Sequence, residues 1–99
     1  MDIQKQIDGK KITVKVSGRL DTNTAPQLDA ELKPILDEAD ELIFDFSELD
    51  YISSAGLRVL LSAQKNMNNR KGSMCVTGAN EIIKEIFDVT GFSDIMMIE

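Results

Sequence analysis

The chain contains no histidine. That absence removes the commonest general base and the commonest metal ligand. Its single cysteine, Cys75, lies inside an apolar, strand-like segment and has no partner for a disulfide. One thiolate cannot build a zinc site, and a reducing compartment suits such a chain. No apolar run exceeds the four residues Ile95–Ile98, whereas a bilayer-spanning helix needs about twenty. Membrane insertion is not expected. The opening Met1-Asp-Ile-Gln-Lys5 has neither the basic segment nor the apolar stretch of a secretory leader. A cytoplasmic location is expected.

Basic charge is scarce too. Eleven Lys and Arg stand against 17 Asp and Glu, for a net charge of −6. Nucleic-acid binding normally shows as a basic patch that displaces counterions from phosphates. The bases here are scattered, apart from Arg70-Lys71, which would close a helix and suit its C-terminal dipole. No nucleic-acid partner is expected. These absences together argue against an enzyme, and no metal or other cofactor is expected.

What is present reads as one small folded domain over residues 1–99. The hydrophobic fraction of 42% and charged fraction of 28% are ordinary for a globular chain. A chain of this length buries roughly 60–70% of its unfolded surface, enough for one core. Ile3–Ile7, then Asp8-Gly9, then Ile12, Val14 and Val16 alternating with Thr13, Lys15 and Ser17 predict a hairpin. Thr24-Ala-Pro-Gln27 has the form of a capping box. The helix it opens is predicted from Ala25 to Glu38, with Leu28, Leu32, Ile35, Leu36 and Ala39 at helical spacing. Pro34 inside it predicts a kink or a break.

Leu42–Phe46 reads as a buried strand, followed by a short loop. Leu57, Leu60, Leu61 and Met67 mark a second helix, ending at Asn68–Gly72. Met74–Thr77 is the next strand. Asn80 caps a third helix that turns Ile82, Ile83, Ile86 and Phe87 inward and ends at Gly91. Ile95–Ile98 adds a short last strand, with Met96 and Met97 read as core fillers. The order β-β-α-β-α-β-α-(β) predicts an α/β fold. Its mixed sheet of four to five strands is largely parallel, with an N-terminal hairpin, and packs against three main helices.

Two segments follow strands and precede helices: Gly18–Thr24, and Asp50-Tyr-Ile-Ser-Ser-Ala-Gly-Leu57. In a parallel sheet both emerge at the carboxyl edge, where sites of open α/β folds collect. If their strands are neighbours, Asp21 and Ser54 lie close together. Ser53 or Ser54 can be a plain N-cap, worth about 1 kcal/mol. Either hydroxyl can equally carry a phosphate, because free N–H groups and the helix dipole favour negative charge there. Asp21 reads from its setting as an Asx-turn residue. Asp45 reads as a loop-tying acceptor. Ser62-Ala-Gln-Lys65 spells the S-x-x-K of β-lactamases, but it lies mid-helix in a far smaller chain without companion motifs.

Tyr51-Ile-Ser-Ser-Ala-Gly-Leu-Arg-Val-Leu-Leu61, with Gly18-Arg-Leu-Asp21 and the Thr-Ala after it, resembles the STAS family. That family covers anti-sigma factor antagonists and cytosolic domains of sulphate transporters. The resemblance spans essentially the whole chain. It implies partner switching: the unmodified antagonist binds an anti-sigma factor that is also a serine kinase, and so frees a sigma factor. Phosphorylation of one serine ends that binding, and a metal-dependent serine phosphatase restores it. The family's Asp-Ser-(Ser/Thr)-Gly-Leu, aligned on Gly56-Leu57, implies Ser54 as the acceptor. Ser53 replaces the acidic residue and is the alternative acceptor, and Ala55 follows. Asp21, Thr22, Asn23 and Ser53–Leu57 are then the implied partner-binding residues. The alternative within the family is an unphosphorylated accessory subunit of a lipid-transporting ABC complex. An enzyme built on Asp21 and Asp45 is the third reading.

Overall fold

The computed structural model describes residues 1–99. Strands β1 (Asp2–Asp8) and β2 (Lys11–Leu20) form the hairpin. Asp8 pairs with Lys11, so Gly9 and Lys10 make the loop. Gly9 has φ 61°, the positive value that the first position of a type II′ turn requires. There follow α1 (Ala25–Leu36), β3 (Glu41–Ile52), α2 (Ser54–Asn69), β4 (Ser73–Thr77) and α3 (Glu81–Thr90). A 3₁₀ turn over Phe92–Asp94 leads into β5 (Met97–Ile98). The strands lie in the order β1-β2-β3-β4-β5, the first pair antiparallel and the others parallel. This is the mixed sheet that the element order predicts.

Every parallel crossover steps to the next strand in one direction, so right-handed connections place the three helices on one face. On that face Ile12, Val14 and Val16 of β2, Leu42, Phe44 and Phe46 of β3, and Met74 and Val76 of β4 are buried. They join Leu28 and Leu32 of α1, Leu60 and Met67 of α2, and Ile83 and Phe87 of α3 in one continuous core. The opposite face is left open, and Thr13, Lys15, Ile43, Asp45, Cys75 and Thr77 are partly exposed there. Cys75 is therefore a half-covered strand residue. Desolvation pushes its thiol above the ordinary value, and Glu99 and Glu41 add to the effect.

Several expectations change. β3 runs on to Ile52, through the segment predicted to be a loop. Lys15 pairs with Asp45 but Ser17 with Glu48, and Gly18 pairs with Leu49 but Arg19 with Tyr51. Each step inserts one residue into β3, a β-bulge. The buried positions after Phe46 are accordingly Leu49 and Ile52, spaced by three, and the alternation that signals a strand is lost. Helix α1 passes through Pro34 without a break and ends at Leu36, short of Glu38. The carbonyl that Pro34 cannot serve belongs to Ala30; both residues are exposed, so water can take its place. Arg70 donates to the carbonyls of Leu36 and Ala39, so this cation closes α1 and not its own helix.

Asn80 Oδ1 accepts from Ile83 N–H at 2.9 Å, and Gly91 ends α3 with φ 79°, both as predicted. Only Ile83 and Phe87 of that helix are buried, however, and Ile82 is 62% exposed. Met96 fills the core, whereas Met97 faces solvent. No helix is long and apolar enough to cross a membrane.

Candidate functional site

β2 and β3 end together. Leu20 and Ile52 are register partners, and Ser53 N–H donates to the Leu20 carbonyl at 2.8 Å. The β2–α1 loop and the start of α2 therefore leave the carboxyl edge side by side, as the strand-edge argument requires.

The β2–α1 loop is tied by its own side chains. Thr24 occupies the N-cap of α1 without a capping hydrogen bond, so the predicted capping box does not form. Its hydroxyl turns back instead: it accepts from Asp21 N–H at 2.8 Å and donates to the Arg19 carbonyl at 2.8 Å. Asp21 Oδ1 accepts from the N–H groups of Asn23 (3.0 Å) and Thr24 (3.1 Å), an Asx-turn. The other oxygen, Oδ2, lies 3.8 Å from Arg19 Nε. The Arg19 guanidinium sits 4.4 Å from the centre of the Tyr51 ring, bridging the two strand ends. Thr22 and Asn23 are exposed.

The Thr24 N–H, aided by Asn23 N–H, the Thr24 hydroxyl and Arg19, holds the Asp21 carboxyl below its ordinary range against some desolvation. A carboxyl whose folded pKa is depressed contributes stability in full above its unfolded value. That contribution is lost as pH falls through the folded value. Asp21→Asn should thus be less stable than wild type at pH 7, and the gap should close toward pH 3. Urea unfolding at the two pH values measures it, and an equal gap at both would refute the account.

Ser53 is the N-cap of α2: its Oγ accepts from Gly56 N–H at 3.3 Å, and the residue is partly buried. Ser54 is the first helical residue and is exposed. Of the two serines, Ser53 is therefore the helix cap. Ala55 is partly buried. Gly56 and Leu57, implied as partner contacts, point the other way. A Cβ on Gly56 would lie 2.7 Å from Leu20 Cγ and 2.9 Å from Ile52 Cγ1, and Leu57 is 7% exposed. They hold α2 against the sheet and are buried.

Next to these loops a groove of about 360 Å³ runs between α1 and α2, with Thr22, Ala25, Pro26, Ala55, Arg58 and Val59 among its lining residues. Sequence reasoning missed Arg58 there, and also Arg19 and Tyr51. The signal was available: Ala55, Arg58, Val59 and Ser62 recur at helical spacing on one stripe. Asp45 is a hydrogen-bond acceptor as expected, but it ties the strand β3 to itself and not a loop. Its Oδ1 accepts from Ser47 N–H at 3.0 Å beside the first bulge. That N–H, then the Ser47 hydroxyl and Lys15, hold its carboxyl low. It stands seven residues before Ile52, about 20 Å along β3, on the open face. Asp21 and Asp45 share no site.

The helix-covered sheet thus presents the tied β2–α1 loop and the first turn of α2 side by side at its carboxyl edge. The model of the STAS domain matches residues 2–99, and the chain belongs to that family, among the anti-sigma factor antagonists. It is 34% identical over 94 residues to BtrV of Bordetella bronchiseptica, covering 94% of this chain and 80% of that one. Identity to the anti-sigma-B factor antagonist of Listeria monocytogenes is 31% over 96 residues, with 96% and 84% covered. Among solved structures, the unphosphorylated anti-sigma factor antagonist SpoIIAA superposes with a TM-score of 0.80 at 14% identity, covering 99% of this chain and 87% of that one. The phosphorylated form of Bacillus SpoIIAA gives 0.79 at 17% identity, with 99% and 91% covered.

Proposed function

We propose that this domain is a phosphorylation-switched binding module and not an enzyme. Unmodified, it binds an anti-sigma factor that is also a serine kinase, and a sigma factor is released. The kinase passes the γ-phosphoryl of ATP to Ser54 Oγ, the hydroxyl proton leaves, and ADP departs. A metal-dependent serine phosphatase hydrolyses the ester and restores binding. One observation carries the choice of acceptor: Ser53 spends its hydroxyl on the helix cap, while Ser54 stands exposed one residue on, beside the Asp21 loop. The existence of SpoIIAA structures in phosphorylated and unphosphorylated forms supports a switch of this kind. The recognition surface is Asp21, Thr22, Asn23 and Ser54 with the partly covered Ser53 and Ala55, placed by Gly56 and Leu57.

Pull-down from the native cytosol identifies the kinase, and peptide mapping after incubation with it and ATP tests the reading. Phosphate is expected on Ser54 in wild type and equally in Ser53→Ala. That variant should lose about 1 kcal/mol of stability with the cap, yet keep its acceptor. Phosphate on Ser53 alone would overturn the assignment. Capture of a permease and an ATPase in place of a kinase would favour the transport-subunit reading.

A further inference from the structure

Arg58 is exposed on α2 and takes part in no ion pair of the chain. Other cations of this region are engaged: Arg19 with Asp21 and Tyr51, and Lys33 with Asp29 at 3.7 Å. Arg58 is also the one cation in the wall of the groove between α1 and α2. It follows Ser54 by four residues on the same helix. Residues so spaced lie neighbour to neighbour, with Cβ atoms about 5–6 Å apart.

From this placement we propose that Arg58 is the receptor for the phosphate on Ser54, and that receiving it draws the guanidinium from the groove wall toward the first turn of α2. The inference rests on the reading of Ser54 as the acceptor. An anion one turn N-terminal to a cation is the favourable order for such a pair on a helix, and a phosphate on Ser54, the first residue of α2, also meets the end of the dipole that favours negative charge. The planar guanidinium can give a phosphate two parallel N–H donors, which an ammonium cannot. Phosphorylation then does two things at once. It adds negative charge at the loop, and it withdraws the groove's cation from any carboxylate that a partner would bring to it.

The test installs phosphoserine at position 54 by genetic encoding, so it needs no kinase and does not depend on which serine a kinase chooses. Phosphorus NMR then follows the second ionisation of the phosphate in the full chain. Wild type should titrate lower than Arg58→Gln by about 0.3 of a unit or more. Arg58→Lys should fall between them, keeping the charge but losing the paired donors. Arg19→Gln should match wild type. The methyl signals of Ala55 and Val59, which line the groove, should move on phosphorylation in wild type and stay in place in Arg58→Gln. Identical titrations in wild type and Arg58→Gln, or a change seen only in Arg19→Gln, would overturn the proposal. Peptide mapping that finds kinase-borne phosphate elsewhere would instead sink the assignment of Ser54 and leave this titration standing.

Discussion

Gly56→Val should destabilise the fold outright, by about 3 kcal/mol or more, and lower Tm by roughly 12 °C or more. The glycine lies in the first turn of α2, where the helix crosses the ends of β2 and β3. A single added carbon would stand 2.7 Å from Leu20 Cγ and 2.9 Å from Ile52 Cγ1. Neither neighbour can swing into solvent, because both are fully buried. The helix must therefore lift, and lifting it breaks the Ser53 cap and uncovers Leu57. Alanine is the milder probe. Its overpacking of about 1–3 kcal/mol is offset by about 1 kcal/mol of helix propensity gained over glycine. Thermal and urea unfolding read the cost directly. Combining Gly56→Ala with Leu20→Ala makes room for the new methyl, so the double variant should be more stable than the sum of the single losses predicts. Additive losses, or a Gly56→Val protein with unchanged Tm, would show that α2 does not sit as tightly as its geometry requires. A binding defect in either variant then reports the fold, and Ser54 and Asp21 are the positions that probe the surface itself.

This division between surface and support was only half legible in the sequence. The hairpin, the parallel order and the neighbourhood of Asp21 and Ser54 follow from alternation, turn chemistry and strand–helix order, all of which are local. β3 beyond Phe46 was hidden, because two bulges change the spacing of its buried residues from two to three. Pairing with β2 sets those bulges, and no window of β3 alone contains them. The same holds for Thr24. Its spacing to Gln27 spells a capping box, yet the Arg19 carbonyl across the turn offers its hydroxyl a partner at 2.8 Å. Ile82 shows the opposite failure. Four apolar residues in α3 overstate the face that the sheet can cover, since β4 and β5 are only five and two residues long. The motif around Ser54 could not sort its own members. Ser53, Ser54 and Gly56 stand within four residues of one another, and only the fold separates a cap, an exposed hydroxyl and a packing contact.

Phosphate on Ser54 should weaken partner binding by more than a hundredfold while leaving the stability of the domain nearly unchanged. The modification adds about −1.5 to −2 charge at pH 7 to a chain that already carries −6. In the free domain that charge is tolerated, because Ser54 is exposed and begins a helix whose N-terminal dipole favours an anion. At a docked surface the same charge must shed its water, and any carboxylate of the partner repels it. A combined penalty of about 3 kcal/mol suffices for the hundredfold loss. The cause is local, so the sheet and the Asp21 loop should keep their structure on phosphorylation. Ser54→Ala should bind the kinase at full strength and resist modification. Ser54→Asp should bind poorly but better than the phosphorylated form, since one carboxylate carries less charge and fewer acceptor oxygens. Calorimetric titration of the identified kinase with the four forms measures the series, and thermal melts beside it check the fold. Equal affinity for the phosphorylated and unmodified forms would end the switch mechanism. An affinity lost in step with Tm would trace the effect to unfolding instead of charge.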